Sequence, residues 1–167
     1  MLEALKKNLP IGHISFLIVL SLVLSFYTSF FSHMNNWLIF RSSFFHLLEG
    51  KSLYAFYPND HHDLFKYSPS FALFMAPLAY LPAWLGAVLW NLLGAFLFIL
   101  GLKNLPLTLS AKKGIFWISL PEFIGSTQGF QSNIHVLSLL ILCFCYLEKT
   151  QHWKAMLTLV FSAFIKI

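Results

Sequence analysis

The apolar positions of the chain gather into long runs separated by short polar stretches. Ile14 to Phe31 is a run of 18 residues without a charge, and Ala83 to Leu102 is a second clear one. Both approach the roughly 20 apolar residues that a helix needs to cross a bilayer. Phe71 to Leu81 is also apolar, but Pro77 and Pro82 interrupt it, so a re-entrant or interfacial helix is expected there. Gly114 to Gly125 is short and contains Pro121 and Glu122, which predicts a broken helix. Ile134 to Leu147 is cleaner, and Ala155 to Ile167 completes the set. The first run ends Tyr27-Thr28-Ser29-Phe30-Phe31, aromatic bulk where a signal peptidase needs small residues, so an uncleaved anchor is expected. The predicted architecture is all-α: a polytopic transmembrane bundle of about five spans, forming one domain over residues 1–167.

A different pattern occupies Asn36 to Gly50. Trp37, Phe40, Phe44, Leu47 and Leu48 recur at helical spacing, which predicts an amphipathic helix ended by Gly50, with Arg41 and Glu49 towards water. From periodicity alone this is a surface helix that packs on its neighbours.

Composition decides between a membrane and an aqueous setting. Apolar residues make up 58% of the chain and charged residues 10%. Soluble domains carry about 25% charged residues, so a soluble enzyme is excluded. The 19 Phe, 5 Trp and 6 Tyr exclude a disordered chain. Cys143 and Cys145 point to different sides of a helix and are expected to pack rather than pair. The basic residues are scattered between runs, which predicts orientation signals rather than a nucleic-acid surface. If each run crosses once, Lys6, Lys7, Lys103, Lys112, Lys113, Lys149 and Lys154 share one side. Arg41, Lys51 and Lys66 fall on the other. The positive-inside rule then makes the N-terminus cytoplasmic and the protein a multi-pass protein of the inner membrane. The loop from Ser32 to Ser70 and the turn from Ser126 to Asn133 lie outside.

Most of the residues suited to chemistry fall on that outer face. Asp60-His61-His62-Asp63 has metal-ligand residue types, but adjacent residues rarely converge on one ion, so no metal is assigned and a solvated turn is expected. Glu122 is either an intramembrane functional acid or a residue near the outer interface. Gln128, Gln131 and Asn133 suit capping of the next helix, and equally the hydroxyls of a sugar or the oxygens of a phosphate. Lys166 either snorkels or binds an anion.

Several of these elements together resemble glycosyltransferase family 87, multi-spanning enzymes of the GT-C superfamily. The resemblance rests on Leu47-Leu48-Glu49-Gly50-Lys51-Ser52-Leu53-Tyr54 closing the outer helix, then Tyr67-Ser68-Pro69 and Ala76-Pro77-Leu78 to Leu81-Pro82. Leu89-Trp90-Asn91, Gln131-Ser132-Asn133 and Ala163-Phe164-Ile165-Lys166 follow in order. It implies transfer of a sugar from a polyprenyl-phosphate carrier to a lipid or glycan acceptor outside the cytoplasm, with no cofactor and with membrane lipids and the lipid-linked donor as partners. It also implies that the chain corresponds to the N-terminal part of a longer enzyme. The family's Gln-x-Asn element falls on Gln131 and Asn133, and its Lys on Lys166, suited to a lipid phosphate.

In the family pattern an Asp stands fourteen residues before the helix-ending Gly, as general base. Here that position is Asn36. An amide takes no proton at neutral pH, so Asp60 and Asp63 become the candidate bases, with Glu49 and Glu122 behind them. A second reading keeps the same outer-face groups in a non-enzymatic membrane protein or transporter subunit that binds a lipid-linked or anionic solute. A transporter calls for repeated halves with paired broken helices, and no internal repeat is visible.

Overall fold

A computed structural model of the protein describes residues 9–166. Among these residues every regular element is an α-helix. In chain order they are α1 (Ile11–Phe31), α2 (Asn35–Leu48), α3 (Pro69–Phe74), α4 (Ala76–Ala79), α5 (Ala83–Asn104), α6 (Leu109–Gln128), α7 (Asn133–Glu148) and α8 (His152–Ile165). Lys6, Lys7 and the last position of the run ending at Ile167 lie outside the described residues.

Helices α1 and α5, of 21 and 22 residues, are long and apolar enough to cross a membrane. Their surfaces support that setting. Val19, Val23, Phe26 and Phe30 on α1 are exposed, as are Leu140 and Phe144 on α7 and Met156, Val160 and Phe161 on α8. A water-soluble fold seldom leaves so continuous an apolar surface uncovered. The structure is that of a helical membrane bundle.

The expected short, broken third run is corrected. Helix α6 continues unbroken through Pro121 for 20 residues, roughly 30 Å of rise. Proline removes one backbone bond, the one back to Trp117, and the rest of the ladder carries the helix. The helix also starts earlier than the apolar run does. Thr108 caps it by accepting the Ala111 N–H, and Lys112 is buried with its Nζ donating to the Lys103 carbonyl at 2.9 Å.

Packing is most extensive between α7 and α8, α5 and α7, and α1 and α5. The long helices alternate in direction, which gives the bundle two distinct ends. At one end Lys149 Nζ donates to Asn104 Oδ1 at 2.7 Å, near the Lys112–Lys103 contact. At the other, Asn36, the 129–132 turn and Lys166 come together. Asn91 joins three helices at the core. Its Nδ2 donates to Ser25 Oγ of α1 at 2.8 Å and to the Thr127 carbonyl of α6 at 2.9 Å.

Helix α2 lies across the second end, above α3, α4 and α5. Ser68 caps α3 by accepting the Phe71 N–H at 3.2 Å, with Pro69 at its first turn. Pro77 opens α4, so the apolar stretch is two short pieces rather than a crossing. Trp37, Phe40 and Phe44 of α2 pack with Phe71, Met75 and Trp90 in one buried cluster. The buried face differs from the expected one: Leu48 is exposed and His46 is buried. Arg41 is half-buried with its guanidinium 5.2 Å from the centroid of the Phe45 ring. Residues 49–68 fold back over this end of α2 and cover His46 with the Tyr57 ring, 3.9 Å between centroids. Gly50, at φ +65°, makes the reversal. Its N–H bonds to the Leu47 carbonyl and the Lys51 N–H to the His46 carbonyl at 2.9 Å, a Schellman closure.

Helix α5 receives α2 through a notch at Gly86. A methyl group there would stand 2.5 Å from Trp37 and 2.7 Å from the Leu78 carbonyl. Gly86→Ala is therefore expected to lower stability in detergent by about 1–3 kcal/mol, the usual cost of overpacking. Gly114→Ala, where nothing lies within 4 Å, is the control and leaves stability unchanged or slightly raised. Equal thermal unfolding of the two variants would remove the notch from the account.

Candidate functional site

Helix α6 ends in a strained turn that shapes the site. Phe130 adopts φ +48°, a left-handed conformation costly for a bulky residue, of order 1–3 kcal/mol. Its ring is fully buried, which offsets the strain. The Gln131 N–H closes the turn on the Ser126 carbonyl at 2.8 Å. The turn leaves the Gly129 carbonyl facing α2, where it accepts from Asn36 Nδ2 at 2.7 Å.

Around this contact lies a cavity of about 230 Å³, whose polar wall is Asn36, Asp63, Lys66, Gln131, Asn133 and Lys166. Residues from α2, the 49–68 segment, the 129–132 turn, α7 and the end of α8 thus converge across more than a hundred positions of sequence. Asn133 is the hub. Its Nδ2 donates to Gln131 Oε1 at 2.9 Å and to Glu122 Oε1 at 3.1 Å, and its Oδ1 accepts from Lys166 Nζ at 3.0 Å. Ser126 Oγ also donates to Glu122 Oε1, at 3.3 Å. Glu122 lies six residues before the end of α6, about 9 Å along its axis, and so belongs to this end of the bundle. Lys166 reaches an amide rather than a carboxylate, and among the described residues it makes no ion pair. Gln131 and Asn133 bond to each other and to their neighbours, and neither caps α7.

Two lysines against one aspartate give the cavity wall a positive balance. Lys66 Nζ meets Asp63 Oδ2 at 2.7 Å. That hydrogen bond, with the Leu64 N–H on Oδ1, holds the Asp63 carboxyl below the ordinary carboxylate range. Asp63 is therefore ionised at neutral pH.

The two candidate aspartates separate. Asp60 faces a different crevice, of about 240 Å³, and its Oδ2 is 3.0 Å from His46 Nε2. His62 gives its N–H to Asn35 Oδ1 at 2.7 Å, and His61 is buried, which pushes its imidazole pKa down. Asp60, His61 and His62 thus line one crevice and Asp63 the other cavity, and among the described residues no three His, Cys, Asp or Glu side chains gather as metal ligands. Glu49 pairs with Lys51 at the surface, away from both cavities. Cys145 is buried, Cys143 is half-buried, and neither is bridged.

Lys66, placed on the outer face by the sequence, and Tyr67, part of the Tyr67-Ser68-Pro69 element, both line the cavity, although neither was given a role in the site. The i, i+3 spacing of Asp63 and Lys66 was the available signal. Below the cavity runs an apolar groove of about 510 Å³ between α3, α4, α5, α7 and α8, walled by Phe71, Phe74, Leu93, Phe161 and Ile165 among others. The groove and the polar cavity adjoin at Ile165 and Lys166, and again at the stacked rings of Tyr67 and Phe71, 4.8 Å apart.

The structure thus places a positively balanced polar cavity at the head of an apolar groove in a membrane bundle. Residues 65–167 match the family model of glycosyltransferase family 87. The chain belongs to that family, and its class of activity is glycosyl transfer. The matched stretch includes Lys66, Glu122, Gln131, Asn133 and Lys166, whereas Asn36, Asp60 and Asp63 precede it. No curated protein and no solved structure matches the chain.

Because Asn133 holds three partners at once, Asn133→Ala is expected to cost about 1–3 kcal/mol, the penalty for polar groups left unpaired. Equilibrium unfolding in detergent measures it. Unchanged stability would mean that water replaces the amide without loss and that the hub carries nothing.

Proposed function

We propose that the protein binds a polyprenyl-phosphate sugar and transfers the sugar to a lipid or glycan acceptor on the extracytoplasmic face of the inner membrane. The observation that carries this reading is the junction of polar cavity and apolar groove at Ile165 and Lys166. A polyprenyl phosphate has the matching form: a long apolar chain joined directly to an anion. The chain lies in the groove, and Lys166, with the amides of Gln131 and Asn133, takes the phosphate oxygens.

Transfer then needs one proton acceptor. The acceptor hydroxyl oxygen bonds to the anomeric carbon, the bond from that carbon to the phosphate oxygen breaks, and polyprenyl phosphate leaves. The hydroxyl proton goes to a carboxylate. Asp63 is the base in this reading, since it is the carboxylate on the cavity wall and is ionised at neutral pH. Asn36 has no basicity to offer and spends its N–H on Gly129. The orientation follows from Lys103, Lys112, Lys113, Lys149 and Lys154, which belong to the end of the bundle opposite the cavity, the end that the positive-inside rule puts in the cytoplasm.

Two experiments test the reading. In the first, Lys166→Met is expected to weaken binding of a polyprenyl phosphate in nanodiscs by about ten- to a hundredfold, the worth of one charge-assisted hydrogen bond. Asp63→Asn is expected to leave that binding near normal and to reduce transfer by two or more orders of magnitude. Asn36→Asp raises transfer if the amide has weakened the site. Binding without any transfer in the unaltered protein, given a full range of acceptors, would favour the non-enzymatic reading. The second experiment concerns topology. Ser52→Cys should react with an impermeant maleimide added to intact cells, and labelling only after permeabilisation would overturn the assigned face.

A further inference from the structure

We infer that the crevice on the Asn35 side of α2 is a second ligand site, one that holds the hydroxyl groups of the sugar accepting transfer. This rests on the transfer reading above and adds the place of the acceptor. The crevice is comparable in size to the donor cavity, about 240 Å³ against about 230 Å³. Its chemistry is different. No lysine or arginine lines it, and its wall carries Asn35, Asn59, Asp60 and His61 over an apolar base of Leu38 and Pro58. A cavity without fixed cations suits a neutral polyol rather than a phosphate. Amides, a carboxylate and imidazoles are the groups that pair with hydroxyls.

Two of these groups have hydrogen-bonding capacity that the fold leaves unused. His61 is 3% exposed, and its Nδ1 has no partner. Asp60 gives Oδ2 to His46, while its Oδ1 bonds to nothing among the described residues. A buried nitrogen without a partner destabilises the fold, and a ligand hydroxyl would satisfy it. The Asp60 carboxylate is also held in position, because the His46 ring is itself covered by Tyr57. The position of the crevice fits an acceptor as well. Consecutive residues divide the two cavities: Asn35 and Asn36 on α2, then His61 and His62 against Asp63 and Leu64. An acceptor held by its hydroxyls on the Asp60 side would carry its reacting hydroxyl over the rim of this wall to Asp63 and the donor.

The test uses the full chain in phosphatidylcholine nanodiscs, with methyl α-D-glucopyranoside, methyl α-D-mannopyranoside and methyl α-D-galactopyranoside as probes. Saturation-transfer NMR is expected to show binding of at least one of them. Asp60→Ala should weaken it about tenfold, as for loss of one hydrogen bond to a charged group. Lys166→Met should leave it unchanged. Polyprenyl-phosphate binding, measured on the same samples, reports whether the Asp60 and Asn59 variants are folded, and thermal unfolding in detergent does so for Lys166→Met. If Asp60→Ala loses both ligands, Asn59→Ala decides, since that side chain makes no hydrogen bond in the fold. Glycoside binding weakened by Asn59→Ala supports the site. No signal from any of the three glycosides, or a signal indifferent to both substitutions, overturns it. Failure of the donor reading looks different, as loss of polyprenyl-phosphate binding in the unaltered protein with the glycoside signal retained.

Discussion

The approach of α2 to α5 governs the whole upper end of this molecule. Trp37 rests where Gly86 has no side chain, which lets an amphipathic helix sink among the tops of the spanning helices instead of lying on them. Membrane helices associate largely through such close packing of small residues, because lipid tails compete for ordinary apolar contact. From that one contact the rest is propagated. Phe40 reaches Phe71 and Trp90, at 5.0 and 5.8 Å between ring centroids, which fixes α3 against α5. The first turn of α2 is then held level with the end of α6, where Asn36 meets Gly129. Both cavities open on either side of this single turn.

Glu122 and Lys166 are kept apart rather than paired. A Lys166–Glu122 ion pair was the simplest structural outcome for two ionisable groups near hydrocarbon, and it would have locked the lysine. Asn133 stands between them instead, giving its N–H to the acid and its carbonyl to the base. An amide can do this because it is donor and acceptor at once. The arrangement satisfies Glu122 without consuming the positive charge of Lys166. It also shows why the amides read from the sequence as helix caps are not used so: their hydrogen bonds are already committed sideways.

How much of this was legible in the sequence depends on the range of the interactions. The spanning helices were, since an apolar run of 18 residues carries its own evidence and bilayer thickness sets the scale. The interruption of the apolar stretch after Phe71 was too, because Pro77 forbids a continuous helix locally. Helix α6 was misjudged at Pro121. Proline's local cost is real, but a helix already bonded on both sides of it bears the loss of one N–H. Gln131, Asn133 and Lys166 were each picked out by the family resemblance, and the structure brings them together. The separation of Asp60 from Asp63 was not. Three positions apart in a loop, they part because His46 draws one and Lys66 the other, and His46 becomes buried only when residues 49–68 fold back at Gly50. No periodicity within either segment encodes that.

Residue 36 ties these points together. Its Nδ2 donates to a backbone carbonyl at 2.7 Å, an interaction open to an amide and closed to an ionised carboxylate, which only accepts. An aspartate in the same place would meet the Gly129 oxygen lone pair to lone pair and be turned away, towards the cavity. The Asn at this position therefore changes more than basicity. It converts a side chain free to act on a ligand into one that clamps α2 to the strained turn at Phe130. Under the proposed reading the work of proton removal then falls to Asp63, whose carboxylate lines the same cavity and whose charge Lys66 maintains. Under this reading the clamp at Asn36 and the base at Asp63 are two separate residues that line one cavity.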